Sequence, residues 1–209
     1  MLPPARPRGR PRSFNSDVAM AQIREQFWDK GYSATSLDDL AAATGLKRAS
    51  LYGAFGNKQA MYLTALDDFA DQVFGGIRET FEAKGCFRGQ LERFYQQALA
   101  VYTNDGMSRG CFIFCTGPAE ATEDPIIGKR LAEIITKLDS SMAAYSRQAI
   151  DSGEILQTID PVALGKMIIA MLHSLALRAR AGIPETELCA FIGDTLGCLP
   201  WNDKARQAG

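Results

Sequence analysis

Histidine is nearly missing from this chain: His173 is the only one. That leaves little material for imidazole catalysis or a histidine-rich metal site. Cysteine is sparse as well. The five residues, Cys86, Cys111, Cys115, Cys189 and Cys198, are odd in number and fit no disulfide framework of a small secreted domain. No apolar run approaches the roughly 18–20 residues of a membrane-spanning helix, so no membrane partner is expected. The basic N-terminus is rich in Pro and Arg, with no apolar stretch behind it, and does not read as a secretory signal. A cytoplasmic location is the expectation. Strand-like alternation and internal repeats are absent too, which points to an all-α fold.

What is present is a globular composition. A chain of 209 residues with 46% hydrophobic and 22% charged residues can build a sizeable core. The net charge of −1 hides an asymmetry. Residues 1–60 hold nine bases against five acids, which gives +4 and leaves −5 for the remainder. A basic head on an acidic body suits a head that meets a polyanion.

Residues 1–14 carry too much Pro and Gly for a helix and read as a flexible basic arm. From about Ser16, Ala19, Ile23 and Phe27 recur every fourth residue, and Gly31 closes the helix. Ser36 then caps a second helix, with Asp39 as its capping-box partner. That helix ends at Gly45, and a third runs from near Lys47 to Phe55. Asn57 is placed to cap a long fourth helix reaching towards Ala83, with Gly75-Gly76 as its weak point. Further helices read at about 88–103, 111–121, 126–152, 161–181 and 185–198. Pro125, Pro161 and Pro184 mark three of their starts.

The sharpest constellation lies across the second and third helices. A helix-turn-helix needs a small residue where the helices cross, a left-handed turn between them, and apolar residues filling the wedge. Ala41, Gly45, and Leu40, Leu46 and Leu51 answer those demands in turn. Lys47, Arg48, Ala49, Ser50, Tyr52 and Gly53 are then left outward. Cations, hydroxyls and small side chains are what a major-groove reading face uses.

The stretch Phe27–Lys58 resembles the DNA-binding domain of the TetR (AcrR-like) family of transcription regulators. The resemblance rests on Gly31-Tyr32-Ser33-Ala34-Thr35-Ser36 and on Ser50-Leu51-Tyr52, Phe55-Gly56 and Lys58. It implies an N-terminal three-helix DNA-binding domain over 15–60 and a larger helical ligand-binding and dimerisation domain over 61–209. Carried over by position, Thr35, Ser36, Tyr52 and Lys58 would touch phosphates, while Lys47, Arg48, Ala49 and Ser50 would face bases. Gly53 departs from the bulkier residue many members carry and would let the duplex approach closely. In the arm, Arg8, Arg10 and Arg12 around Gly9 and Pro11 resemble an AT-hook core, which lies in the narrow minor groove of A·T-rich DNA.

Two apolar stripes, Leu164/Ile168/Met171/Leu175 and Leu188/Ile192/Thr195/Leu199, look like a dimer interface, since in this family the last two helices join those of a second subunit. Each helix is apolar on more than one side, so the same stripes also suit the subunit's own core. A homodimer would match a palindromic operator in double-stranded DNA. By resemblance a small-molecule effector would sit in the body, with Phe94, Tyr102, Phe112, Cys115, Tyr145, Met167, Met171 and His173 as candidate contacts. Each also fits an ordinary core position. Their aromatic and Met character favours an apolar or amphipathic ligand. Cys111 and Cys115 share a helix face and offer a thiol-, redox- or metal-responsive alternative, although two thiols alone are an incomplete metal site. A thiol enzyme would lack a general base, so neither a catalytic residue nor a cofactor is assigned. The resulting expectation is a repressor released by its ligand, with an activator on the same scaffold as the alternative.

Overall fold

The computed structural model describes residues 14–106 and 108–202. The arm residues Arg8, Arg10 and Arg12 lie outside them. Among the described residues there are nine α-helices, one short 3-10 turn at Asn104–Gly106 and a single isolated bridge, Ile155 with Trp201. The helices are α1 Ser16–Lys30, α2 Leu37–Thr44, α3 Arg48–Phe55, α4 Lys58–Glu82 and α5 Phe87–Tyr102, followed by α6 Phe112–Glu120, α7 Pro125–Asp151, α8 Pro161–Arg180 and α9 Glu185–Gly197.

Local chemistry sets the ends. Asn15 caps α1 by accepting from the amides of Asp17 and Val18, and the Gly31 amide returns to Phe27 O. Ser36 and Asp39 form the expected reciprocal capping box on α2, which satisfies two otherwise orphaned amides. Gly45 ends α2 with φ +65°, the left-handed turn on which α3 depends. Asp124 and Asp160 cap α7 and α8 ahead of Pro125 and Pro161. The Gly75-Gly76 pair does not interrupt α4, which runs unbroken through it.

The head closes around Ile23, Phe27, Leu40 and Leu51, all fully buried. Truncating a residue such as Leu51 to Ala would cost about 2–5 kcal/mol. Helix α1 packs on α2, α4 and α6, so it belongs to the head and the body at once. Within the body, α7 and α8 form the most extensive pair, and α5 packs on α4, α8 and α9.

Two sequence expectations need correction here. Helix α8 is, by length and a mean hydropathy of 1.5, apolar enough to cross a membrane, where no such run was expected. Its apolar character has a core explanation, because Leu164, Ile168, Ile169, Leu172 and Leu175 are buried inside the chain. The second correction follows from the same burial. Leu164, Ile168, Leu175, Leu188, Ile192 and Leu199 face the subunit's own core, with Met171 and Thr195 half-buried at its edge, so these stripes are not a free dimer surface. The Thr195 hydroxyl donates back to Phe191 O and Ile192 O. The large apolar residues left outward on α8 are instead Val162, Met167 and Leu177, the last 67% exposed. On α9 the outward residues include Cys189, Ala190, Gly193 and Gly197.

Candidate DNA-reading face and effector cavity

Lys47 is the N-cap of α3, and Lys47, Arg48, Ala49, Ser50, Tyr52 and Gly53 are all exposed, as the spacing predicts. No acid lies in its first turn. Arg48 is not idle: its Nε donates to Asp38 Oδ1 at 2.6 Å, and a second guanidinium nitrogen reaches Asp38 Oδ2. The hydrogen bond from Arg48 holds the Asp38 carboxyl below its ordinary range. Both partners are on the surface, so water or an anion exchanges with this pair readily.

The four positions matched to phosphate contacts divide. Tyr52 projects, 48% exposed. Ser36 is exposed but also closes the α2 cap, its hydroxyl donating to Asp39 Oδ2 at 2.6 Å. Lys58 lies over the Tyr32 ring, 4.4 Å from its centroid, and donates to Ser33 O at 3.4 Å. Partial burial moves its pKa downward. Thr35 is corrected: its side chain is fully buried, and its hydroxyl donates to Gly31 O at 2.6 Å. It ties the end of α1 to the entry of α2, and so holds Ser36 in place.

The body contains an apolar cavity of about 190 Å³ between α4 and α5, with α6 behind it. Tyr102, Cys111, Ile113, Phe114, Leu138 and Leu172 form its inner wall. Phe69, Ile77 and Phe94 form the sides, and Gln72, Gly76, Gln97 and Val101 reach the solvent edge. Of the candidate effector contacts, Phe94 and Tyr102 line it. Phe112 does not, since it is packed among Trp28, Tyr62 and Phe69 at 5.7–5.8 Å between ring centroids. Cys115 turns to Ala176 O, and Tyr145 stacks on Phe81 at 4.8 Å. Met167 points outward and Met171 sits at the core edge. His173 lies behind the wall, its ring against Phe114. Residue type alone does not fix direction, and helical register turns these six elsewhere.

Contacts that the sequence did not foretell join cavity and head. Helix α6 begins at the cavity wall and ends at Glu120, which is buried. The Ser33 hydroxyl donates to Glu120 Oε2 at 2.6 Å, and the Ser33 amide donates to Oε1 at 3.3 Å. At the other end of α6, the Trp28 indole donates to Gly110 O at 3.2 Å. Arg109 pairs with Glu25 and Asp29 of α1, and Arg180 donates to both Trp28 O and Arg109 O at 3.0 Å. Gly110 has φ +65°, and a Cβ there would stand 2.5 Å from Ala176 O. No larger residue fits this junction of α1, α6 and α8. The partners are 71–152 residues apart in sequence, so no local spacing announces them.

Burial pushes the Cys111 thiol up to about 12, and it also raises Cys115. Among the described residues no cluster of three or more His, Cys, Asp or Glu could hold a metal.

An exposed basic helix on a helix-turn-helix, tied through α1 and α6 to a helical body, defines a DNA-binding transcription regulator. Comparison with known proteins agrees. The family model for bacterial regulatory proteins of the tetR family matches residues 19–65, and that for a tetracyclin repressor-like C-terminal domain matches 88–186. The chain belongs to the TetR family, whose members work as dimers on DNA and bind small-molecule effectors. It is 27% identical to the HTH-type transcriptional repressor ComR of Escherichia coli, over 92% of both chains. It is 23% identical to the HTH-type transcriptional activator FasR of Mycolicibacterium smegmatis, over 72% of this chain and 71% of the relative. The fold superposes with a TM-score of 0.84 on a cysteine mutant of the TetR-family regulator CifR bound to 26-bp operator DNA, at 25% identity over 91% of this chain and all of that one.

Proposed function

We propose that the chain is a repressor that occupies a palindromic operator as a homodimer and leaves it when a small apolar or amphipathic molecule enters the body. Residues 1–14 act as a basic arm, 15–60 as the DNA-binding domain and 61–209 as the ligand-binding and dimerisation domain. Its site of action is the cytoplasm, where the operator is.

The observation that carries the ligand response is the position of α6. Cys111, Ile113 and Phe114 at its start wall the cavity, and Glu120 at its end holds Ser33 in the head. A molecule that displaces the first end bears on the second. Release then needs only differential affinity: the ligand favours a head spacing that no longer fits successive major grooves.

On DNA, Lys47, Arg48, Ala49 and Ser50 face base edges, with Gly53 allowing close approach. Ser36, Tyr52 and Lys58 take phosphates, and Arg8, Arg10 and Arg12 enter the minor groove. Arg48 must leave Asp38 to do so, a surface exchange of small cost. Dimerisation uses the outward faces of α8 and α9, around Met167, Leu177, Ala190 and Gly193.

The named function of FasR supports a second reading, an activator on the same scaffold. The thiol-responsive alternative draws less support, because a buried thiol with a pKa near 12 stays protonated and unreactive at neutral pH. Footprinting on DNA upstream of the chain's own coding sequence tests the main reading. A protected palindrome overlapping a promoter supports repression, and one upstream of it that raises transcription supports activation.

A further inference from the structure

The cavity says more about its occupant than apolar character alone. None of the side chains that line it is charged. An anion or cation inside would be desolvated without a partner. The Tyr102 hydroxyl and the Cys111 thiol are its buried polar groups. The inner wall therefore offers a ligand two neutral polar groups and no charge. Gln72 and Gln97 sit at the solvent edge, and the Thr80 hydroxyl already donates to Gln97 Oε1.

Size narrows the class further. A closed apolar cavity of about 150 Å³ is enough to hold benzene. At about 190 Å³, this one has room for a single ring with a short substituent. The rings of Phe69, Phe94 and Phe114 give such a ligand aromatic partners. Occupancy would also be felt at once in the head. Phe69 packs edge-on against Trp28 at 5.0 Å between centroids, and Trp28 donates to Gly110 O, next in sequence to the wall residue Cys111.

From this geometry we infer that the effector is an uncharged molecule of single-ring size, and that carboxylates and phosphates of the same size are rejected. The inference rests on the reading of the chain as a ligand-responsive regulator, although its binding arm does not require DNA.

Calorimetric titration of the full chain with toluene, 4-methylphenol, 4-methylbenzoate and 1-methylnaphthalene tests it. Trp28 fluorescence gives a second readout, with Trp201→Phe removing the other indole. Toluene and 4-methylphenol should saturate, 4-methylbenzoate should bind at least tenfold more weakly, and the two-ring probe should bind no tighter than toluene. Gly76→Phe is the blocking variant. Gly76 lines the cavity, a Cβ there meets nothing within 4 Å and the position is helical, so a larger side chain narrows the cavity without backbone strain. It should abolish toluene binding while keeping the thermal midpoint and the retention of duplex DNA at low salt. Equal or tighter binding of 4-methylbenzoate, tenfold tighter binding of the two-ring probe, no saturable binding of either neutral one-ring probe, or unchanged binding in Gly76→Phe would overturn the inference. Toluene binding with no effect on operator affinity would keep the ligand class and overturn release by ligand. Failure of the unliganded protein to retain DNA would overturn the regulator reading alone.

Discussion

Replacing Glu120 with Gln or Ala should loosen the head from the body, by an amount the geometry bounds. Its carboxylate is buried and accepts two hydrogen bonds from Ser33, at 2.6 Å from the hydroxyl and 3.3 Å from the amide. A hydrogen bond to a charged group contributes about 1.5–3 kcal/mol, and water partly replaces it at an exposed partner such as Ser33. Glu120→Ala should therefore cost about 1–3 kcal/mol of unfolding free energy, and Glu120→Gln less, since one oxygen still accepts. Single truncations also disturb packing, so the pair is best isolated by a double-mutant cycle. Ser33→Ala, Glu120→Ala and the double variant, compared by urea unfolding, should give a coupling energy of about 1–2 kcal/mol for the hydroxyl contact. Additivity within about 0.3–0.5 kcal/mol would show that the tie contributes nothing, and α6 would lose its role as a link.

Other perturbations test the DNA contacts, the arm, the dimer face and the core. Tyr52→Ala and Lys58→Ala should weaken binding to all duplexes alike, whereas Lys47→Ala and Arg48→Ala should also shift base preference by about 1–3 kcal/mol per lost contact, read by selection on randomised duplexes. Removing residues 1–12 should lower affinity and flatten its dependence on salt, and an unchanged salt slope would return the arm to a solvated tail. Leu177→Asp on the outward face of α8 should give a folded monomer by sedimentation, while Ile192→Asp should unfold the chain, because it buries an unpaired charge in the core. Burial lowers the pKa of His173 below its ordinary 6.5, so its neutral form is favoured in the folded state. The unfolded chain binds this proton first as pH falls, so stability is full above about 6.5 and declines as pH drops towards the folded value. Asp139, the charged group that opposes this shift, is on α7. His173→Gln should remove that part of the decline, measured by urea unfolding at successive pH values.

The head was legible because its determinants are local. The Asn57 cap, the Ser36–Asp39 box and Gly45 each act within a few residues, and helical period places Leu40 and Leu51 inside. Thr35 escaped the reading because a short hydroxyl residue next to a cap serves equally as a surface contact or an internal tie. The stripes on α8 and α9 misled for a related reason. A helix apolar on several sides does not say which side meets its own subunit, and here Leu164 and Ile192 meet the core while Leu177 is left outward. The cavity wall depended on pairings between distant helices. Phe69, Phe114 and Gly76 carry no sign of a site in their own neighbourhoods, and Trp28 meets Gly110 across 82 residues.

The central claim is that α3 reads a two-fold DNA site. Binding selection on randomised duplexes, run on the full chain and on Arg48→Ala in parallel, tests it most directly. The account predicts an enriched palindrome with half-sites about one helical turn apart, or a multiple of it, and a changed preference within each half-site for Arg48→Ala. Enrichment of no sequence, or an identical palindrome recovered by both Arg48→Ala and Lys47→Ala, would contradict it.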